Sequence, residues 1–262
     1  MEPETRLFID GELCNAASGK RYPNINPATE EVMGEVADAG REDMDRAIAA
    51  ARRAFDETDW STNHAFRLRC LEQLHKGLLA IDEAFRVLIA AETGGPLGIC
   101  GDMGPQCKTP IGFIEYTLNS LPEYEWSRDL GVAEMMGMRS RRLVEKEAVG
   151  VVACITPWNV PLQINLAKCI PALAAGCTVV FKPSEITPLT AFQLVSLMHK
   201  AGFPAGVVNM VVGTGAEIGK ALVEHPSVAG ISFTGSLATG RAVAVSAVGR
   251  GARIQTELGS KN

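Results

Sequence analysis

The sequence predicts an α/β chain: an open, doubly wound parallel sheet preceded by a helical amino-terminal region and a β-ribbon. Two observations predict it. From Val149 onward, β-rich apolar runs at 149–155, 178–181, 207–212, 229–233 and 252–256 alternate with helical stretches. Near-continuous apolar runs are what parallel strands covered on both faces look like, and successive βαβ units imply right-handed crossovers in one open sheet. Before residue 150, spacings of three and four residues dominate instead, as in amphipathic helices. The expected organisation is 1–127 as arms and helices packing on the sheet, 128–149 as the ribbon, and 150–262 as the βαβ domain.

Taken in order, Met1-Glu2-Pro3-Glu4 is acidic with no apolar stretch behind it, so no leader is read and the fold is expected to begin near Leu7. Between Phe8 and Val36 the turns Asp10-Gly11, Ser18-Gly19 and Pro23-Asn24 separate short apolar pieces, which suggests extended arms or a hairpin. Met44, Ile48, Ala51 and Phe55 mark one helix, and Leu71, Leu74, Leu78 and Ile81 another. Thr93-Gly94-Gly95-Pro96 should end a third, and a further helix is expected from Pro110 toward Trp126, stopped near Pro122. From Gly137 to Glu147, Met138, Leu143 and Val144 alternate loosely with charges, as in a strand ribbon. Thr187 is placed to cap a helix with Pro188 at its first position, and Gly202 with Pro204 to end it.

Composition narrows the function classes. With 262 residues and 47% hydrophobic content, a sizeable core is available. A net charge of -5 argues against wrapping nucleic acid, which needs clustered cations. The one tight basic cluster, Arg139, Arg141 and Arg142, is followed by Glu145 and Glu147 and reads as a solvated edge. The longest apolar run, 170–181, is broken by Pro171 and Gly176 and is too short to cross a bilayer, so no membrane partner is expected. Seven cysteines without metal-ligand spacing, and only four histidines, leave no readable zinc site. Scattered free thiols fit a cytoplasmic protein.

In an open parallel sheet, ligands bind beyond the carboxyl ends of the strands. Four of the five predicted strands are followed by unusual residues: Ile155 leads into Thr156-Pro157-Trp158-Asn159-Val160-Pro161, then come Lys182-Pro183-Ser184-Glu185, Phe233-Thr234-Gly235-Ser236 running on to Gly240, and Glu257-Leu258-Gly259. Glycine allows close backbone approach, and a helix starting at Ser236 offers unpaired N–H groups to a pyrophosphate. Gly213-Thr214-Gly215 with Gly219 has the spacing G-x-G-x-x-x-G, which alone is a weak phosphate signal. A tight strand-to-helix turn is the plain alternative for both groups, and cofactor contact is the preferred reading at Phe233-Thr234-Gly235-Ser236.

These motifs, in this order, resemble the aldehyde dehydrogenase superfamily, and the resemblance covers the chain from Phe8-Ile9-Asp10-Gly11 and Asn26-Pro27-Ala28-Thr29 to Glu257-Leu258-Gly259. It implies a Rossmann-like cofactor domain binding NAD, with NADP as the alternative, an aldehyde substrate, and a ribbon that joins subunits into a homo-oligomer, dimer or tetramer. It implies cofactor contacts from Ile155, Thr156, Pro157, Trp158, Lys182, Ser184, Glu185, Gly215, Phe233, Thr234, Gly235, Ser236, Gly240, Leu258 and Gly259. Lys182 and Glu185 match the pair that holds the adenosine ribose; a carboxylate accepts hydrogen bonds from a cis-diol and repels a 2′-phosphate. Asn159 matches the amide that stabilises the oxyanion formed by thiol attack, where one such donor is worth roughly a hundred- to a thousandfold. Taken alone it reads as a cap for the helix beginning near Pro161, a preference that the flanking Pro157-Trp158 and Pro161 reverse.

Glu257 matches the base that activates water against a thioester, a role that calls for a partly desolvated carboxylate. A strand-end surface carboxylate is the plain alternative, as a surface ion pair is for Lys182 and Glu185. These side chains are expected to face one crevice.

The resemblance also marks departures. Asn262 comes before the position where the family places its nucleophilic cysteine, so that thiol is expected to be absent and the isolated chain inactive. Cys154 inside a strand, Cys169 on a helix and Cys177 before a strand read as structural. Ser260 stands where a glycine is usual and Ala148 where a proline is frequent. A different class remains open: a non-catalytic nucleotide-binding or assembly module. So does reduction of an acyl phosphate or thioester within the same superfamily.

Overall fold

Apolar runs too short for helices, each bounded by Gly or Pro, organise the second half of the chain. In this computed structural model, which describes residues 4–100 and 106–259, they form β7 (Val151–Ile155), β8 (Thr178–Lys182), β9 (Val208–Met210), β10 (Val228–Gly235) and β11 (Arg253–Leu258). All five residues of β7 and of β8 are buried, as strands covered on both faces must be. Neighbouring members of this group pair in parallel, in the order β11-β10-β7-β8-β9. Strands after β7 are laid to one side as far as β9, and the chain then returns to lay β10 and β11 on the other. The switch point therefore falls between β7 and β10, where open α/β sheets bind ligands.

The sheet is not purely parallel, which corrects the expectation. Asp10-Gly11, at φ 56° and 82°, turns β1 (Leu7–Ile9) back on β2 (Glu12–Cys14), and Phe8 of β1 pairs antiparallel with Met210 of β9. Asn209 fixes the junction, its Oδ1 accepting the Asp10 N–H at 2.9 Å. The hairpin covers the edge that β9 would otherwise expose. β3 (Arg21–Ile25) and β4 (Val32–Ala37) form a separate antiparallel pair.

Helices cover both faces. On one side lie α1 (Arg41–Glu57), α8 (Lys220–Glu224) and α9 (Leu237–Gly249), with Thr178 of β8 donating its hydroxyl to the Ala51 carbonyl at 2.9 Å. On the other lie α6 (Pro161–Ala174) and α7 (Pro188–Lys200), backed by α2 (His64–Ala80) and α3 (Asp82–Thr93). Met44, Ala47, Ile48 and Ala51 of α1 are buried as their spacing predicts, Met44 and Ile48 contributing roughly 2 kcal/mol each. Phe55 is only half-buried; Ala54 closes the stripe. In α2, Leu71, Leu74 and Leu78 are buried and Ile81 lies just beyond the end. α3 stops as predicted, at Gly94 in the left-handed conformation with φ 69°.

Other expectations shift. The helix expected from Pro110 is two short ones, α4 (Lys108–Gly112) and α5 (Ile114–Ser120), broken at the poor helix former Gly112. Trp126 lies beyond them, its ring tilted against His64 at 4.3 Å and edge-on to Tyr124 at 4.7 Å. The ribbon is a hairpin of β5 (Ser127–Met135) and β6 (Met138–Glu145), closed by Met136-Gly137 at φ 53° and 78°. Arg139 and Arg141 on it pair with Glu134 and Asp129 in solvent. Because β10 and β11 run further than predicted, Thr234, Gly235, Glu257 and Leu258 sit inside strand ends rather than after them. α7 starts at Pro188 as expected, but Thr187 makes no capping bond and its hydroxyl is buried without a partner. The acceptor comes from α3 instead: the Glu92 carboxylate takes the N–H groups of Leu189 at 2.5 Å and Thr190 at 2.8 Å. Met1, Ser260 and Asn262 lie outside the described residues.

Gly206 shows how closely α1 is seated. Its φ is 77°, and an added Cβ would lie 2.6 Å from the Ala50 carbonyl oxygen. Gly206→Ala is expected to destabilise the fold by about 2 kcal/mol, combining left-handed strain with a backbone overlap that must be relieved. A urea midpoint equal to that of the parent would show that α1 can move.

Candidate functional site

Strand register brings the predicted residues to one edge of the sheet. Ile155 pairs with Lys182 on one side and Phe233 on the other, Phe233 pairs with Thr256, and Thr234 with Glu257. The motif residues thus lie at or just beyond four adjacent strand tips, but, contrary to the expectation of one crevice, their side chains divide between the two faces of the sheet.

Lys182 and Glu185 occupy the face covered by α1 and α8. The Lys182 ammonium is 4% exposed and donates to the Pro183 carbonyl at 3.1 Å and to Glu185 Oε2 at 3.2 Å. Burial pushes its pKa down, and the Glu185 carboxylate works against that shift. One of its three N–H bonds is left for a further acceptor. Ser184 is buried, its hydroxyl accepting the Ile186 N–H at 3.2 Å. Gly215 opens a one-turn π-helix (Gly215–Gly219), an arrangement frequent at functional positions, and an added Cβ there would meet open space. Gly219 lies over the Lys182 stem at 3.8 Å.

Ser236 caps α9 by accepting the Thr239 N–H at 3.2 Å. Gly240 serves helix–strand packing: an added Cβ would lie 2.3 Å from Leu258 Cδ2. Gly235 is crowded by its own neighbour, with Phe233 Cζ 2.6 Å from an added Cβ. Gly259 is exposed beyond the last strand.

In the turn between β7 and α6, Thr156 is buried and spends its hydroxyl on Asn165 Oδ1 at 2.7 Å. Pro157 is half-buried, and Trp158 is exposed. Asn159 is exposed and does not cap α6, whose capping position is Val160 with no side-chain bond; its carbonyl accepts Gln106 Nε2 at 3.1 Å. The capping explanation for Asn159 is therefore removed.

Glu257 lies on the α6 face. A cavity of about 580 Å³ there is lined by Gln163, Lys168, Ser232, Thr234, Gln255 and Glu257, among others. Contrary to the expectation of a desolvated base, Glu257 is exposed, because among the described residues β11 is an edge strand with β10 as its single neighbour. Its carboxylate accepts Gln255 Nε2 at 2.7 Å.

Lys168 was not singled out by sequence reasoning. It is the lone charge on α6, 5% exposed, and donates to Ser232 Oγ at 3.1 Å and Gln255 Oε1 at 3.3 Å. Burial pushes its pKa down; Glu257 and nearby thiols counter that. One cation in an otherwise uncharged helix following Asn159 was the available signal. A separate cavity of about 630 Å³ lies at the root of the ribbon, beside Tyr116, Trp126 and Lys146, and holds none of the motif residues.

Six of the seven cysteines are buried and Cys14 is half-buried. Burial pushes the thiols of Cys70 and Cys107 up to about 11 and about 12. That of Cys169 is raised by its hydrogen bond with Cys154 and then by burial. None is an exposed thiol at the strand tips. Among the described residues no group of three or more His, Cys, Asp or Glu is arranged to hold a metal ion, and no helix is long and apolar enough to cross a membrane.

Comparison with known proteins identifies the family. A family model described as "Aldehyde dehydrogenase family" matches residues 14–262. Aminoacetaldehyde dehydrogenase of Pseudomonas aeruginosa is 37% identical over 98% of this chain and 51% of its own length. A mutant of aldehyde dehydrogenase C from Pseudomonas syringae, solved with NAD+ and octanal, superposes with a TM-score of 0.90 at 36% identity, covering 99% of this chain and 51% of that one. Betaine aldehyde dehydrogenase from Staphylococcus aureus, solved with NAD+, gives 0.90 at 34% identity, covering 99% and 50%. The chain thus spans about half the length of these relatives.

Proposed function

Because the chain belongs to the aldehyde dehydrogenase family, we propose that these residues bind NAD and supply part of a site that oxidises an aldehyde to a carboxylic acid through a thiohemiacetal and a thioester. The observation that carries the reading is the buried Lys182 with its partner Glu185 at the tip of β8, one strand from the switch point between β7 and β10. Lys182 has an N–H to spare, Glu185 is accessible to a cis-diol, and Gly219 lies over the Lys182 stem. When bound, NAD would accept hydride. This chain's residues orient it: Lys182, Ser184 and Glu185 at the adenosine ribose, Gly215, Ser236 and Gly240 around the pyrophosphate, and Ile155, Thr156, Pro157, Trp158, Phe233, Thr234, Gly235, Leu258 and Gly259 along the strand tips. Glu185 would repel a 2′-phosphate, which favours NAD over NADP.

Asn159, exposed and free of capping, is proposed to donate its amide to the oxyanion. Glu257 is proposed to take the proton of the water that opens the thioester, in a cavity that Lys168 also lines. A ligand serving both would run over the strand tips from the α8 face to the α6 face. The nucleophilic thiol is proposed to lie outside these 262 residues, since the seven cysteines present are buried or half-buried. Relatives named for aminoacetaldehyde and betaine aldehyde support a small aldehyde as substrate class. The exposed ribbon, with Leu130, Val132, Met136 and Met138 open to solvent, is proposed to join subunits in an oligomer.

Titration of the 262-residue chain with NAD tests this. NAD is expected to bind, Glu185→Ala to weaken it about tenfold through loss of charged hydrogen bonds, and aldehydes to yield no NADH without an added thiol-bearing segment. Equal affinity of Glu185→Ala and parent would defeat the ribose assignment; turnover by the chain alone would defeat the placement of the thiol.

A further inference from the structure

The turn that carries Glu185 is held from outside the sheet. Tyr22 on β3 donates its hydroxyl to the Glu185 carbonyl at 2.9 Å, across 163 positions of sequence. Asn24, two residues further along the same strand and 3% exposed, donates from Nδ2 to the Ile186 carbonyl at 2.9 Å. Consecutive main-chain carbonyls of the turn are thus fixed by alternate residues of one strand, which share a face. On the other side Lys182 holds the Glu185 carboxylate. The β3–β4 pair forms no part of the main sheet, so these bonds are a directional link between a peripheral hairpin and the strand tips. The Tyr22 phenol is mostly buried, and its pKa is pushed up by that burial and then by the negative charge of Glu185, so it remains a neutral donor.

We propose that Tyr22 is a positioning residue for the nucleotide site: its hydroxyl fixes the Glu185 main chain so that the carboxylate meets the ribose diol. The proposal rests on the assignment of Lys182 and Glu185 to the adenosine ribose. A merely structural tether would lower stability without regard to Glu185. A positioning tether acts only while Glu185 has a carboxylate to aim, so the two residues must be coupled energetically.

The experiment is a double-mutant cycle on the 262-residue chain, with NAD as the titrant and thermal unfolding recorded for every variant. Tyr22→Phe keeps the ring and removes one hydrogen bond. It is expected to weaken NAD binding about fivefold in the parent and to have no further effect in the Glu185→Ala background. An equal loss in both backgrounds would overturn the proposal, since the hairpin would then act through general stability. Unchanged affinity in Tyr22→Phe, with Glu185→Ala weakened, would overturn it while leaving the ribose assignment standing. Unchanged affinity in Glu185→Ala would remove the assignment itself and this proposal with it.

Discussion

Lys182→Met is expected to weaken NAD binding about fiftyfold while shifting the stability of the fold by less than about 1 kcal/mol. The two halves of that result have one cause. Lys182 is 4% exposed, so its ammonium has given up most of its hydration, and its contacts with the Pro183 carbonyl and Glu185 offset that loss without greatly exceeding it. Removing one member of a buried ion pair is costly chiefly where it strands the other charge away from water. Glu185 is left behind, but its side chain is 43% exposed, so no charge is stranded in a dry place. A ligand sees the opposite balance: it loses a charged donor worth roughly 1.5 to 3 kcal/mol where solvent cannot substitute. Calorimetric titration and thermal melts on the same samples separate these effects. A fall in melting temperature with NAD affinity intact would mean that Lys182 is a structural cation and that the nucleotide binds elsewhere.

Which parts of this arrangement were legible in the sequence follows from where the forces act. β7 and β8 were legible because burial on both faces writes itself into five consecutive residues. Lys182 and Glu185 were legible because they directly follow such a run. The attachment of β1 to β9 was not: three-residue strands carry little periodicity, and the partner of Asp10 lies 199 positions away at Asn209. Sequence placed Asn159 correctly in the turn but could not exclude capping, because a capping residue is defined by backbone angles that fell on Val160.

Glu257 was assigned a role that calls for a dry carboxylate, and its strand turned out to be an edge with an open face, something local sequence does not encode. Thr187 has the residue type and position of a cap, yet its hydroxyl is not used, because a carboxylate from a helix some 97 positions earlier reaches the same N–H groups. Local propensity proposes, and the stronger tertiary acceptor takes the place.

That carboxylate makes the last prediction. Glu92 is 1% exposed and accepts the Leu189 N–H, the Thr190 N–H and the Thr190 hydroxyl. Burial pushes its pKa up to about 7 from 4.5, although those three hydrogen bonds pull it down. The folded state therefore binds a proton more tightly than the unfolded chain does. The resulting stabilisation is fully present below about pH 4.5 and is lost as the pH rises through about 7, with a magnitude of about 3 kcal/mol at roughly 1.4 kcal/mol per pH unit.

Glu92→Gln cannot titrate, so it is expected to flatten this part of the stability profile between pH 4.5 and 7. Glu92→Ala removes the acceptor altogether, leaving two buried N–H groups unpaired at the start of α7 and a cavity behind them. A loss of about 4 kcal/mol at pH 5 is expected. Because α7 begins directly after the turn that carries Glu185, NAD affinity should fall with it. Urea unfolding of the three proteins across this pH range decides the matter. Parallel slopes for parent and Glu92→Gln would place the titrating group elsewhere and leave Glu92 as a helix cap with no proton of its own.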